Sequence, residues 1–482
     1  MATSHPNHHN NIADSIIALS KVIVGPTVYN VKGYGAAGDG TTADTSAIQS
    51  AINAANSAGG GVVFFPEGTY ISGTLTLYSK IHLIGAGPSA TTLKLANSTN
   101  AALIQGDGFV ALSAGDTTGG ISDFSIRDMT LDGNKANNGT TGYGLRVYGY
   151  RYVLRDLHIK DCFTNGIYSQ WASASSENME ARLDNVRVYS STTANGDGSG
   201  TQVYWLGPHD SVFTGCFFFY GDAKGFEAAH ADKAAGLIFE NCHAYGNDQT
   251  YGWYLTGNGC SLNNCVAEGA ITAQVYINET NIRVTNLYAF AAGAASPVGV
   301  EVATNKSGYV ITGTIVNCTS NAVKLTGTDG GNGFIDITAY QTSGAALGGT
   351  AAANTDLHIR TDGGGTGGQN AMTDPFTAKI QMKGVNLEML DSGGTLTSYL
   401  QASDGALVWG SGSDVNLYRG GANFLQTDDQ FYAGDGVRMK TKAGVPSDSD
   451  TTVDADGVII IDTTNSDLYC RIGGTWKKVT LA

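Results

Sequence analysis

Two carboxylates placed across a glycosidic bond can cleave it. Separations of about 5–5.5 Å suit retention of configuration and about 6.5–9.5 Å suit inversion. The chain offers carboxylates in an aromatic setting. Glu227 stands in the stretch Lys224-Gly225-Phe226-Glu227-Ala228-Ala229, and Asp222 lies in the turn just before it. Asp197 and Asp248 occupy matching turns one repeat earlier and one repeat later. Like carboxylates stacked closely raise one another's pKa, which favours a general acid. The expected catalytic residues are Glu227 and Asp222, with Asp248 third. Acidic turns that are merely solvated, or that hold a cation, are the alternative for the Asp row.

These residues need a frame, and a repeat supplies it. From about Ile121 to Tyr340, a short apolar strand is followed by a small polar residue and then an apolar one. The units end at Met129, Leu157, Val186, Cys216, Cys242, Cys265, Leu287 and Thr314, at intervals of 28, 29, 30, 26, 23, 22 and 27 residues. Fixed type with variable length indicates a solenoid. Enrichment in Val, Ile, Phe and Thr with frequent turn residues makes it a β-solenoid, its coils stacked at about 4.8 Å. Cys216, Cys242 and Cys265 then form an interior ladder, packing as small apolar groups.

A second strand recurs in each coil, and side chains alternate faces along a strand. Leu145, Ile167, Val203, Phe226, Trp253, Val275, Val300 and Val323 are the apolar positions and must point inward. The residues one step later must then point outward and stack: Arg146, Tyr168, Tyr204, Glu227, Tyr254, Tyr276, Glu301 and Lys324. Tyrosine faces beside a carboxylate suit a sugar chain, through ring stacking and a hydroxyl for hydrogen bonds. The expected binding residues are Arg146, Tyr168, Tyr204, Tyr254, Tyr276, Glu301 and His230. Glu301 lies three rungs beyond Glu227, about 14 Å away at one rung per 4.8 Å. That distance gives it a subsite contact or a place in a groove between chains rather than a share in one bond. His209, Asp210, His230, Asp232 and Lys233 fall in loops after the outward strands. A His or Lys there could abstract a proton beside a uronate carboxylate. Trp205 faces inward by parity, and Trp171 opens an insertion, Ala172 to Glu180.

Composition narrows the partners. Of 482 residues, 66 are Gly and 8 are Pro, without a collagen period, and Tyr at 23 exceeds Phe at 16. A net charge of −15 opposes nucleic acid or an anionic membrane as the main partner. The seven cysteines, 162, 216, 242, 260, 265, 318 and 470, show no paired C-x-x-C spacing, so neither a metal nor a cofactor is expected. Their odd count argues for free thiols. Met1 to Asn11 is polar and His-rich without a cationic n-region, so no signal peptide is expected. Ile12 to Ile23 reads as a short amphipathic docking helix.

The N-terminal segment carries a recognisable pattern. Tyr29 to Gly40 (YNVKGYGAAGDG) leads into Thr42 to Ile52 (TADTSAIQSAI) and then Gly59 to Tyr70 (GGGVVFFPEGTY). This resembles the pectate-lyase-like superfamily of right-handed parallel β-helices, which includes polygalacturonases and bacteriophage tailspike depolymerases. The resemblance is specific over about residues 28 to 95 and holds at fold level to about residue 340. It implies that Asp44 to Ala58 is the helix capping the open end of the solenoid. The N-T-D, D-D and R-I-K residues of polygalacturonases are absent, as is the calcium pattern of pectate lyases, so pectin chemistry does not carry over. The C-terminal third changes character after a Gly-rich hinge near residues 363–368. Gly393 to Leu396, Asp414 to Arg419 and Thr427 to Phe431 read as short strands with polar turns, and the end, Asp454 to Arg471 and Gly473 to Lys477, is similar to the distal segments of phage tail fibres.

The expected fold is therefore all-β: a right-handed parallel β-helix with a short N-terminal helix and a C-terminal β-rich trimerisation region. Its segments are 1–27 for docking, 28–100 for the cap and first coils, 101–345 for the grooved solenoid and 346–482 for the tip. The resemblance implies a phage tailspike in the virion tail, trimeric and attached to the tail or baseplate through its N-terminus. Its partner would be a bacterial surface polysaccharide. Hydrolysis is the leading chemistry, with β-elimination or binding without cleavage as the alternatives.

Overall fold

The computed structural model describes residues 28–109, 120–171, 180–189, 200–247, 249–291, 297–340, 346–352 and 354–361, then 386–390, 396–401, 407–409, 415–421, 424–426, 440–442, 459–472 and 474–479. The chain forms two compact units, Met1–Gln381 and Met382–Ala482. The first is a right-handed parallel β-solenoid of about 11 turns, as expected.

The cap forms for local reasons. Helix α1 (Thr45–Ser57) buries Ile48, Ala51, Ile52 and Ala55 on one stripe at helical spacing. That stripe lies against Gly61–Phe65 and Leu75–Leu77 of the first coils. The Asp44 carboxylate accepts from the backbone N of Ala37 at 2.6 Å and of Gly38 at 3.1 Å, tying the preceding loop to the helix start. The helix thus covers the apolar interior at the open end of the first coils.

Each later coil contributes a bent strand to one wall and a short strand to a second wall. The bend explains the small polar residue of the repeat. Asp128, Asp156, Asn185, Asn241, Asn264 and Asn286 adopt the left-handed conformation, with φ between 47° and 58°, and Gly215 shares it at 58°. Asn and Asp tolerate this region because their side chains bond locally. Here they bond between coils: Asn185 Nδ2 donates to Asp156 Oδ1 at 2.7 Å, and Asn286 Nδ2 donates to Asn264 Oδ1 at 2.7 Å. Asn264 in turn donates to Asn241 at 2.5 Å, so it serves two neighbours. Replacing Asn264 by Ala removes both bonds and strains the turn, and should cost about 1–3 kcal/mol by chemical denaturation. Asn264→Gly keeps the conformation and should cost less; equal costs would place the effect in the bonds alone.

The apolar residue after each bend is buried from Met129 through Leu287. The pattern slips at the last unit. A register shift between Val284 and Leu287 pairs Leu287 with Gly313, so Ile315 rather than Thr314 enters the core. Gly313, at φ 141°, sits against the Leu287 carbonyl where any Cβ would collide.

Cys216, Cys242 and Cys265 form the expected interior ladder, with the Cys216 backbone N donating to Cys242 Sγ at 3.4 Å. All seven cysteines are free thiols. Burial pushes Cys260 and Cys318 up to about 12, which keeps them protonated and inert.

The second unit contains a five-stranded antiparallel sheet, from Asn386–Leu390 to Phe424–Gln426, and a four-stranded sheet of Lys440–Lys442, Ile459–Asp462, Asp467–Ile472 and Thr475–Val479. Thr427 to Phe431, the N-terminal docking helix and the insertion after Trp171 lie outside the described residues.

Candidate functional site

The short strands of the second wall carry the outward row, and every step of it is in register. Arg146 pairs with Tyr168, Tyr168 with Tyr204, Tyr204 with Glu227, and Glu227 with Tyr254. Tyr254 pairs with Tyr276, Tyr276 with Glu301, and Glu301 with Lys324. The inward partners, from Leu145 to Val323, are completely buried. That interior anchors the row, because a slip of one residue would exchange the two faces.

Glu227 occupies the middle of the row. Tyr168 and Tyr204 stack on one side of it, centroids 5.3 Å apart and planes at 25°. Tyr254 and Tyr276 stack on the other, 4.8 Å apart and at 26°. Lys224 Nζ lies 2.7 Å from Glu227 Oε1 and 4.3 Å from the Tyr254 ring centroid. Glu227 is therefore held by a fixed cation between two aromatic platforms. Burial, with Glu227 adding to it, raises the Tyr204 phenol above its usual range. Burial, then Tyr276, Tyr251 and Glu227, pushes Tyr254 up to about 12. Both phenols stay protonated at neutral pH and can donate to a sugar oxygen or a leaving group.

The row's ends differ from its centre. Arg146 lies within an aromatic cluster, its guanidinium carbon 4.1 Å from the Phe109 ring centroid and 5.1 Å from that of Tyr143. Glu301 is buried, taking Lys324 Nζ at 3.0 Å and the Thr326 hydroxyl at 2.6 Å on the same oxygen.

Asp222 sits beside the row in its turn. Its Oδ2 lies 3.3 Å from Lys135 Nζ, and both side chains are nearly buried. Asp197 and Asp248 lie outside the described residues. In the following loops, His209 Nδ1 lies 2.7 Å from Asp210 Oδ2. His230 Nδ1 accepts from the backbone N of Asp232 at 3.1 Å and of Lys233 at 3.2 Å, leaving Nε2 free to donate. Trp205 is core, its Nε1 donating to the Pro208 carbonyl at 2.9 Å. Trp171 is buried against Tyr148 and Tyr150. Among the described residues, no group of three His, Cys, Asp or Glu is placed to hold a metal ion.

Strict alternation missed part of the site. Tyr143, Lys224 and Tyr251 stand three residues before row members, yet they reach the same face. Tyr251 packs on Tyr254 and Tyr276 at 5.1 Å each, and Lys224 meets Glu227. Each begins its strand, where the chain enters from a turn and parity does not yet apply. The recurring offset Tyr143/Arg146, Lys224/Glu227, Tyr251/Tyr254 is the sequence signal that identifies them. Lys135 had none, since 87 positions separate it from Asp222.

Residues 28–271 match the family model described as rhamnogalacturonase A/epimerase, pectate lyase-like. Mannuronan C5-epimerase AlgE2 of Azotobacter vinelandii is 33% identical over 251 residues, 50% of this chain and 22% of that protein. The preneck appendage protein of Bacillus phage PZA is 32% identical over 148 residues, 29% of this chain and 16% of that protein. Among solved structures, the tailspike gp49 of Acinetobacter baumannii bacteriophage Fri1, a capsular polysaccharide depolymerase, has a TM-score of 0.44 at 13% identity, covering 78% of this chain and 69% of its own. The chain spans less than a quarter of the length of the curated relatives it matches first.

Proposed function

The chain belongs to the rhamnogalacturonase A/epimerase, pectate-lyase-like family, and from this we propose that it is a phage tail protein that binds a bacterial surface polysaccharide along the outward row and cleaves it at the Glu227 rung. One observation carries the proposal: a carboxylate clamped by Lys224 between two stacked tyrosine pairs, on strands whose register is fixed by the core. The rung spacing of about 4.8 Å is close to the rise of an extended glycan, so successive sugars meet successive rungs. Hydrolysis assigns Glu227 as the ionised partner that attacks the sugar or activates water. Asp222 is the candidate second carboxylate and Asp248 the third. Arg146, Tyr168, Tyr204, Tyr254, Tyr276, Glu301 and His230 are the proposed sugar contacts. The similarity to a phage appendage protein supports the virion-tail setting.

The second reading is β-elimination or C5 epimerisation of a uronate. The similarity to a mannuronan epimerase favours it, as do the lysine and arginine set among the aromatic rings. Such cations can neutralise a uronate carboxylate while a base removes the neighbouring proton. Incubation with capsular and exopolysaccharides separates the readings. New reducing ends without ultraviolet absorption mean hydrolysis, unsaturated ends mean elimination, and binding without either product means recognition alone.

We further propose that the chain is a homotrimer attached to the tail through its N-terminal segment. Light scattering should then give three times 50.0 kDa, or 150 kDa. A value near 50.0 kDa would make a monomeric polysaccharide-modifying enzyme the better reading.

A further inference from the structure

The bent wall of the solenoid has an outward face that the proposed chemistry does not use. After each bend, two columns of side chains run along the axis in register. In the outer one, Phe219 stacks over Tyr245, Tyr245 over Glu268, Glu268 over Phe290, Phe290 over Val316 and Val316 over Tyr340. Beside it run Phe217, His243, Val266 and Tyr288. Tyr288 and Tyr340 are 41% and 42% exposed. All of these residues lie within the first compact unit.

The chemistry of this strip differs from that of the Glu227 row. Half of its ten members, Phe217, Phe219, Val266, Phe290 and Val316, offer no hydrogen-bond group, whereas every member of the Glu227 row carries one. Its one carboxylate, Glu268, lies 3.3 Å from His243 Nε2. A chain with a net charge of −15 repels its own copies, and can meet them only where carboxylates are scarce. The strip is such a place. Aromatic side chains present about 200 Å² each. Tyr288 and Tyr340 expose the most and the other six apolar members are partly buried, so the strip supplies on the order of a few hundred Å² of the roughly 800 Å² per partner of a standard interface. A column parallel to the solenoid axis also suits cyclic symmetry, because coaxial copies then set identical rungs at the same height.

We propose that this aromatic strip is the face through which copies of the chain associate side by side. It names the contact surface of the homotrimer proposed above and rests on that assembly. Hydroxyl-radical footprinting of the full chain, without polysaccharide, tests it. Tyr34, 39% exposed and far from the strip in sequence, is the internal reference. Tyr288 and Tyr340 should oxidise several-fold more slowly than Tyr34 in the wild type. In Tyr288→Glu, Tyr340 should recover the rate of Tyr34; Tyr340→Glu should do the same for Tyr288. Both side chains project outward, so the core is untouched, and the wild-type footprint decides should a variant misfold. Equal oxidation of all three tyrosines in a 150 kDa assembly, three times 50.0 kDa, would overturn the strip but leave the trimer standing. A mass of 50.0 kDa would remove both. Slow oxidation of Tyr340 that persists in Tyr288→Glu would mean that the chain's own segments cover the strip, and would overturn the proposal as well.

Discussion

Glu227→Gln is expected to bind polysaccharide within a few-fold of the wild type and to turn it over about a thousandfold more slowly, the scale at which a positioned acid or base acts. Gln keeps the shape of the side chain and a hydrogen-bond acceptor for Lys224. What it loses is the charge that attacks, activates water or takes a proton. Its neighbours in the row, Tyr204 and Tyr254, stay in place because Val203 and Trp253 beneath them are fully buried. Binding is therefore separable from chemistry. Both are measured on the same polysaccharide, by retention on an affinity gel and by the rate of viscosity loss. Turnover unchanged in Glu227→Gln would remove Glu227 from the reaction, and the carboxylate would revert to a contact for sugar hydroxyls. Loss of binding together with turnover would mean that Glu227 holds the ligand rather than transforms it.

The reach of the sequence can be judged from the same rung. Alternation placed Phe226 inward and Glu227 outward, and eight rungs repeated the choice, so register and face were legible over the whole row. The repeat of small polar residues was legible too, although its physical meaning appears only in the left-handed bends, where Asn241, Asn264 and Asn286 bond from coil to coil. Two things were not legible. Strand starts break the two-residue period, which hid Lys224 and Tyr251. Contacts between coils far apart in sequence, such as Lys135 with Asp222, follow from variable turn lengths that no local pattern encodes. The aromatic strip is hidden in the sequence for a related reason. In Phe217-Phe218-Phe219 the central ring is core and the outer two point away from it, so a run of three aromatics reads as interior when only one of them is.

The interior beneath the site should be the most sensitive part of the fold. Phe226→Ala is expected to destabilise the solenoid by about 3–5 kcal/mol, the range for emptying a buried Phe site. Its ring lies 4.7 Å from that of Phe239 and 5.1 Å from that of Phe213, with the Phe218 ring at 5.4 Å. Those rings belong to the bent wall and are themselves packed: Phe213 and Phe239 stack at 4.5 Å. A cavity here cannot close by moving one flexible side chain, so little of the loss is recovered. Phe226→Leu keeps most of the volume and should cost less than about 1.5 kcal/mol. Tyr204→Phe, on the outward face one rung away, should stay within about 0.5 kcal/mol. A solenoid coil contacts only its neighbours, so the damage should be local. Hydrogen exchange should speed up in the rungs of Val203, Phe226 and Trp253 and stay unchanged near the capping helix. Turnover should fall along with stability, since Phe226 is the residue that fixes the direction of Glu227. A Phe226→Ala protein with local protection intact would show that the stacked rings of the bent wall hold the rung without it, and the row's geometry would then rest on backbone register alone.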